Sequence, residues 1–164
     1  MPDLSSMAAS VGALLKQYQQ TIAVAESAAG GLISASLVAV PGASAYYLGG
    51  AVVYTHAARQ GLLRVPDHAM ADMRASSEPY ALLKARTVRE LLGTTWGLSE
   101  TGASGPTGNR YGDAAGHACI AVAGPIERVI TVETGEGERE ANMWTFAKAA
   151  LELLEGCVRD SIEQ

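Results

Sequence analysis

The chain has 164 residues, 48% of them hydrophobic and 18 of them glycine, with a formal net charge of −5 at pH 7. That length suits one domain, residues 1–164, with a substantial core, and the glycines point to tight connections rather than disorder. The acidic balance argues against a general nucleic-acid binder, yet leaves room for one phosphate-bearing ligand held by one or two arginines.

The start, Met1-Pro2-Asp3-Leu4, has no cationic stretch followed by an apolar core, so no signal peptide is expected. Leu4, Met7, Ala8, Val11, Leu14, Leu15 and Tyr18 recur at helical spacing and predict an amphipathic opening helix. A strand follows at 21–25 and a helix at about 29–39, before the turn signal Val40-Pro41-Gly42-Ala43-Ser44. Tyr46 to Tyr54 reads as a strand with a glycine bulge at Gly49-Gly50. His56 to Leu63 is a short helix, ended by Val65-Pro66-Asp67, which caps another short helix through about Arg74. Ser76-Ser77-Glu78-Pro79 opens a helix that runs to Leu92 and stops at Gly93. Thr94 to Glu100 reads as a strand, and Gly102 to Gly116 as a polar, glycine-rich loop. Two strands, 118–123 and 128–133, are joined at Gly124-Pro125. The last helix carries Met143, Phe146, Ala147, Ala150, Leu151, Leu154 and Val158 on its apolar face. No apolar run reaches the roughly 18 residues of a membrane span. Cys119 and Cys157 sit in apolar segments, as buried free thiols of a cytoplasmic protein do. The order predicts an α/β fold, a three-layer α/β/α sandwich on a mixed, mainly parallel sheet with right-handed crossovers.

In such sheets ligands sit at the carboxyl ends of strands. Three segments occupy those ends here. The first, Glu26-Ser27-Ala28-Ala29-Gly30-Gly31, joins a strand to a helix start, whose free N–H groups and partial positive charge attract anions. Ser27 stands where a nucleophile would, and Gly30-Gly31 where an oxyanion or phosphate nest would. The same pattern also fits a plain strand–helix connection with a serine cap. The second is Gly49-Gly50-x-x-Val53-Tyr54-Thr55-x-x-x-Arg59, and the third is Gly102-Ala103-Ser104-Gly105-Pro106-Thr107-Gly108 with Asn109 after it. Backbone N–H groups and Ser104 in the third could cradle a phosphate or ribose; a surface loop tuned for turns fits as well. No metal or cofactor is expected. His56, His68 and His117 lie far apart, no spacing suits zinc, and the glycine loop is neither a Walker A nor a dinucleotide fingerprint. Gly-x-Ser-x-Gly is missing too.

Together these segments resemble the CinA family, specifically its C-terminal, amidase-type domain. The likeness continues through Val40-Pro41-Gly42-Ala43-Ser44-Ala45-Tyr46, Ser77-Glu78-Pro79 and Ala114-Ala115-Gly116-His117. It implies a stand-alone α/β/α hydrolase that deamidates nicotinamide mononucleotide to nicotinic acid mononucleotide and ammonia in pyridine-nucleotide salvage. Ser27 matches the serine of the family's Glu-Ser-Cys-Thr-Gly-Gly motif, with Ala28 and Ala29 in place of its Cys and Thr. The family is similar to serine amidases in which a lysine activates the hydroxyl. Arg59 occupies that lysine's position, and arginine keeps its proton. Three accounts follow: Arg59 binds the phosphate or polarises the substrate while Tyr54, His56 or Glu26 assists Ser27; Arg59 holds Tyr54 as a phenolate; or the chain is a nucleotide-binding or regulatory module without hydrolysis. The resemblance makes Arg139 a phosphate-binding candidate, with Met143 and Trp144 where the family often has two further arginines. The expected sites are thus Ser27, Tyr54 and Arg59 for catalysis, and Glu26, Gly30, Gly31, Gly102, Ser104, Gly105, Gly108, Asn109 and Arg139 for the substrate. The partner is a small nucleotide-like molecule, not a nucleic acid or a membrane, and Tyr46-Tyr47 leaves a homo-oligomer open.

Overall fold

Helix formation begins at Asp3, whose carboxylate accepts the Ser6 N–H at 3.1 Å and so satisfies one of the donors that a helix start leaves free. The computed structural model describes residues 1–164. It runs through α1 (Leu4–Gln17), β1 (Ile22–Glu26), α2 (Leu32–Val38), β2 (Tyr47–Val52), α3 (His56–Leu63), α4 (Glu78–Leu92), β3 (Trp96–Ala103), β4 (His117–Ala123), β5 (Arg128–Glu133) and α5 (Arg139–Ile162). Short 3₁₀ turns at Ala43–Ala45 and Asp67–Met70 fill two connections. The signals around α4 act as predicted: Ser77 accepts the Tyr80 N–H, Pro79 lies in the first turn, and Gly93 ends the helix at φ 64°. No helix is long and apolar enough to cross a membrane.

The strand order is β2-β1-β3-β4-β5. β1 pairs in parallel with β2 and β3, while β3–β4 and β4–β5 are antiparallel. Strands β1, β2, β3 and β5 therefore point one way and β4 alone opposes them, so the sheet is mainly parallel in direction although its pairings divide evenly. The predicted irregularity in β2 lies where Ile22 faces Tyr47 and Ala23 faces Gly49, leaving Leu48 extra.

One face of the sheet presents Ile22, Val24, Leu98, Ile120 and Val122 to α1, α2 and α5, in a cluster with Leu15, Ile33, Phe146 and Leu154. The other face is covered by α3 and α4, through Ala23, Ala25, Leu63 and Val88 and through Ala81, Ala85, Cys119 and Ala121. These are the three layers. Small residues under α4 bring the helix close to the sheet, and Gly97 is needed for it: a Cβ there would lie 2.0 Å from the Ala85 carbonyl oxygen.

Some boundaries differ from expectation, each for a tertiary reason. β3 continues past Glu100 because Thr101, Gly102 and Ala103 find ladder partners in Cys119, Ala118 and His117. Gly102 is therefore a strand residue, not a loop residue. The helix expected through Arg74 shrinks to the 3₁₀ turn, since Asp67 turns to His56 and Arg59 and Arg74 is drawn to Asp113. Tyr46, half of the pair that suggested self-association, is fully buried and donates its hydroxyl to the Leu37 carbonyl at 2.5 Å. Cys119 and Cys157 are buried and unpaired.

Candidate functional site

Two carboxylates hold the turn that follows β1. Glu26, fully buried, accepts the N–H groups of Gly31 at 3.1 Å, Ile33 at 2.9 Å and Ser34 at 2.9 Å. Glu100 of β3, fully buried as well, accepts the N–H groups of Ser27 at 2.9 Å and Ala29 at 2.8 Å. A helix start favours an anion, and here the chain supplies its own. The anion nest expected at Gly30-Gly31 is thus already filled, and Glu26 is withdrawn from ligand contact. The two glycines serve the turn itself, at φ 68° and 104°, where a side chain is strained. Burial pushes the Glu100 carboxyl up, with the Lys84 charge opposing.

Above this floor opens a cleft of about 380 Å³. Its walls come from the carboxyl ends of three parallel strands, as the fold class leads one to expect. Ser27 follows β1; Tyr54, Thr55, His56 and Arg59 follow β2; Thr101 and Gly102 end β3. Ser76 and Tyr80 at the start of α4 and Arg110 and Tyr111 of the β3–β4 loop complete it. No Asp or Glu lines the cleft, although the chain carries a net −5.

Within the cleft Ser27 is held by its N–H, while its hydroxyl has no partner in the chain. Thr55 caps α3 by accepting the Ala58 N–H at 3.2 Å, which sets Tyr54 before the helix and Arg59 on its first turn. The Arg59 side chain is only 12% exposed and its Nη2 lies 2.6 Å from Asp67. Its Nε is buried with no acceptor. His56 Nε2 meets the same Asp67 oxygen at 2.5 Å. This His56 hydrogen bond, with the charges of His56 and Arg59, holds the Asp67 carboxyl below its usual range. The guanidinium on the Tyr54 hydroxyl is that of Arg139, at 2.7 Å, and not Arg59. The second branch of Arg139 donates to the Gly105 carbonyl at 2.5 Å.

Ser27, Tyr54, Arg59 and Gly102 thus share the cleft, and Arg139 reaches it through Tyr54. In the segment 104–109 the polar side chains and one carbonyl turn to partners inside the protein. Ser104 is buried and donates to the Ala28 carbonyl at 3.1 Å. Gly105 gives its carbonyl to Arg139, and Gly108 closes on the Asp113 carbonyl, which a Cβ would meet at 2.1 Å. Asn109 Oδ1 accepts the N–H groups of Tyr111 at 3.0 Å and Asp113 at 3.2 Å. These contacts brace the wall of the cleft.

The sequence model of the CinA C-terminal domain matches residues 4–158. The chain belongs to the CinA family. It is 37% identical over 153 residues to a CinA-like protein of Synechococcus elongatus, covering 93% of this chain and 36% of that protein. It is 41% identical over 147 residues to a CinA-like protein of Salinibacter ruber, with 90% and 36% covered. The chain spans about a third of the length of these curated relatives. Among solved structures, a CinA superfamily protein from Klebsiella pneumoniae superposes with a TM-score of 0.90 at 22% identity, over 97% of this chain and 99% of that one. A competence/damage inducible protein from Agrobacterium tumefaciens gives a TM-score of 0.84 at 25% identity, over 94% of each chain.

This CinA domain has a buried lysine that sequence reasoning passed over. Lys84 of α4 is fully buried, donates to the Glu100 carbonyl at 2.8 Å and lies 5.3 Å from the centroid of the Tyr80 ring. Burial lowers its pKa to about 8, against the opposing charges of Glu100 and Glu26. It lies beneath the cleft floor and not among the lining side chains. Its sequence setting, Leu82-Leu83-Lys84-Ala85, is that of an ordinary helical lysine; only the close approach over Gly97 puts it inside. His117 is a second such group. Its Nδ1 is 2.5 Å from Glu133 and its Nε2 is 2.8 Å from the Ser76 carbonyl, so both ring nitrogens face acceptors. Burial works against its charge, but Glu133, the Ser76 carbonyl and Asp113 together hold its pKa above the ordinary value. The bond to Ser76, a residue at φ 55°, fixes one side of the cleft.

Proposed function

We propose that this CinA domain is an amidohydrolase that converts nicotinamide mononucleotide, or a near relative, to nicotinic acid mononucleotide and ammonia, with Ser27 as nucleophile. The observation that carries it is a serine hydroxyl without a partner, set in an acid-free cleft beside Tyr54 and Arg59. The Ser27 oxygen attacks the carboxamide carbon and its proton is taken up through Tyr54, which returns a proton to the departing ammonia. Water then hydrolyses the acyl-serine. Glu26 is saturated by backbone donors and His56 is engaged with Asp67, whereas the Tyr54 hydroxyl accepts only from Arg139 and keeps its own proton to give, so Tyr54 is the group that assists. Arg59 keeps its proton, and the charge of its guanidinium on the cleft wall polarises the carbonyl oxygen. Under this function the protein works in the cytoplasm on a small nucleotide.

A second account, a nucleotide-binding module without hydrolysis, is favoured by one fact: the position where the family resemblance puts a basic lysine holds Arg59, which cannot accept a proton. Ammonia release from nicotinamide mononucleotide separates the two. Amidase activity that falls more than about 100-fold in Ser27→Ala, with unchanged thermal unfolding, supports the enzyme. Binding of the nucleotide with no ammonia above the Ser27→Ala level supports the module, and activity that survives Ser27→Ala removes Ser27 as nucleophile.

A further inference from the structure

We propose that Arg110 is the residue by which this cleft selects a phosphorylated substrate, binding the phosphomonoester of a nucleotide while Ser27 faces its other end. This rests on the proposed function for the nature of the ligand. Every other cation near the cleft is already committed. Arg74 is bidentate to Asp113, at 2.7 and 3.0 Å. Arg139 spends one branch on the Gly105 carbonyl and the other on the Tyr54 hydroxyl. Arg59 and His56 share Asp67. Arg110 alone among the lining cations has no carboxylate within reach; its one hydrogen bond, of 2.9 Å, goes to the neighbouring Tyr111 hydroxyl.

The arginine is also held ready. Its guanidinium lies 5.1 Å from the centroid of the Tyr111 ring, which fixes a long side chain at little cost in entropy. The backbone of Tyr111 is fixed in turn by Asn109, and Asp113 by Arg74. A planar guanidinium with unpaired N–H donors matches a phosphate dianion bidentately. In a cleft without carboxylates that charge is not cancelled locally, so an anion gains there what it would lose over the rest of this acidic surface.

Calorimetric titration of the purified domain with nicotinamide mononucleotide, nicotinamide riboside and inorganic phosphate tests this. The nucleotide is expected to bind at least about tenfold more tightly than the riboside, the size of one charge-assisted contact. Arg110→Ala is expected to abolish that preference, with the riboside moving less than about twofold, and Arg110→Lys to keep part of it because charge remains without the fork. Inorganic phosphate is expected to compete with the nucleotide in the wild type and not in Arg110→Ala. A preference that survives Arg110→Ala, or a wild type with no preference, overturns the proposal. If the nucleotide is selected through Arg110 yet no ammonia is released, the assignment of Arg110 stands and the amidase function falls.

Discussion

The floor and the mouth of the cleft use the same chemistry to opposite ends. Below, Glu26 and Glu100 are fully buried and together accept five backbone N–H groups, from Ser27, Ala29, Gly31, Ile33 and Ser34. Above, Ser27 has a free hydroxyl and Arg110 no acidic partner. A helix start is an anion site in either setting. What separates structure from function is whether the protein has already supplied the anion. In the floor it has, and the donors are spent; at the mouth donors remain, and a ligand can use them.

The contrast can be broken from below. Replacing Glu26 with Ala leaves three buried N–H groups without acceptors. The expected loss is about 3 kcal/mol or more of folding stability, read from the shift in urea midpoint. A loss under about 1 kcal/mol would mean that water replaces the carboxylate and that the floor is less closed than its burial shows. Lys84 gives the next effect, and its sign is fixed by its lowered pKa. A lysine that binds its proton less well folded than unfolded adds stability as pH rises, here from about 8 toward the ordinary value of 10.5. Lys84→Met removes that group, so wild type should gain about 2 kcal/mol on the variant between the lower and upper ends of this window. Parallel denaturation profiles across the window would show that Lys84 is not the group that titrates. The smallest effect belongs to the mouth. Arg139→Ala frees the Tyr54 hydroxyl, which is on a 58% exposed residue. Stability should fall by no more than about 1 kcal/mol, while ammonia release should fall further than that figure implies if Tyr54 handles the Ser27 proton. Equal, small changes in both would leave Tyr54 without a role in the reaction.

Much of the site was legible along the chain because strand ends and turn residues are local. Ser27, Tyr54 and Gly102 sit at or just after the ends of β1, β2 and β3, and Arg59 on the helix that follows β2, and a parallel arrangement brings such ends together. The roles of Glu26, Ser104 and Asn109 were not legible, because whether a polar side chain faces a ligand or a backbone N–H depends on what is packed against it. Arg110 and Tyr111 lay in view within the glycine-rich loop. A basic residue beside an aromatic in such a loop was the available signal, overshadowed by the glycines and hydroxyls before it.

By itself, then, the sequence determined the order of helices and strands, the cap of α4, the irregularity in β2, the α/β/α class and the strand ends around which the cleft opens. These follow from local periodicity, backbone freedom and capping, which act within a few residues. Only the tertiary structure decided that Glu26 and Glu100 are spent on the turn after β1, that Arg139 rather than Arg59 holds Tyr54, that Lys84 is buried under the floor, and that Arg110 is left unpaired at the mouth. Each of these depends on partners brought close by sheet pairing and helix packing, and burial fixes both the charge a group can carry and the donors it has left to give.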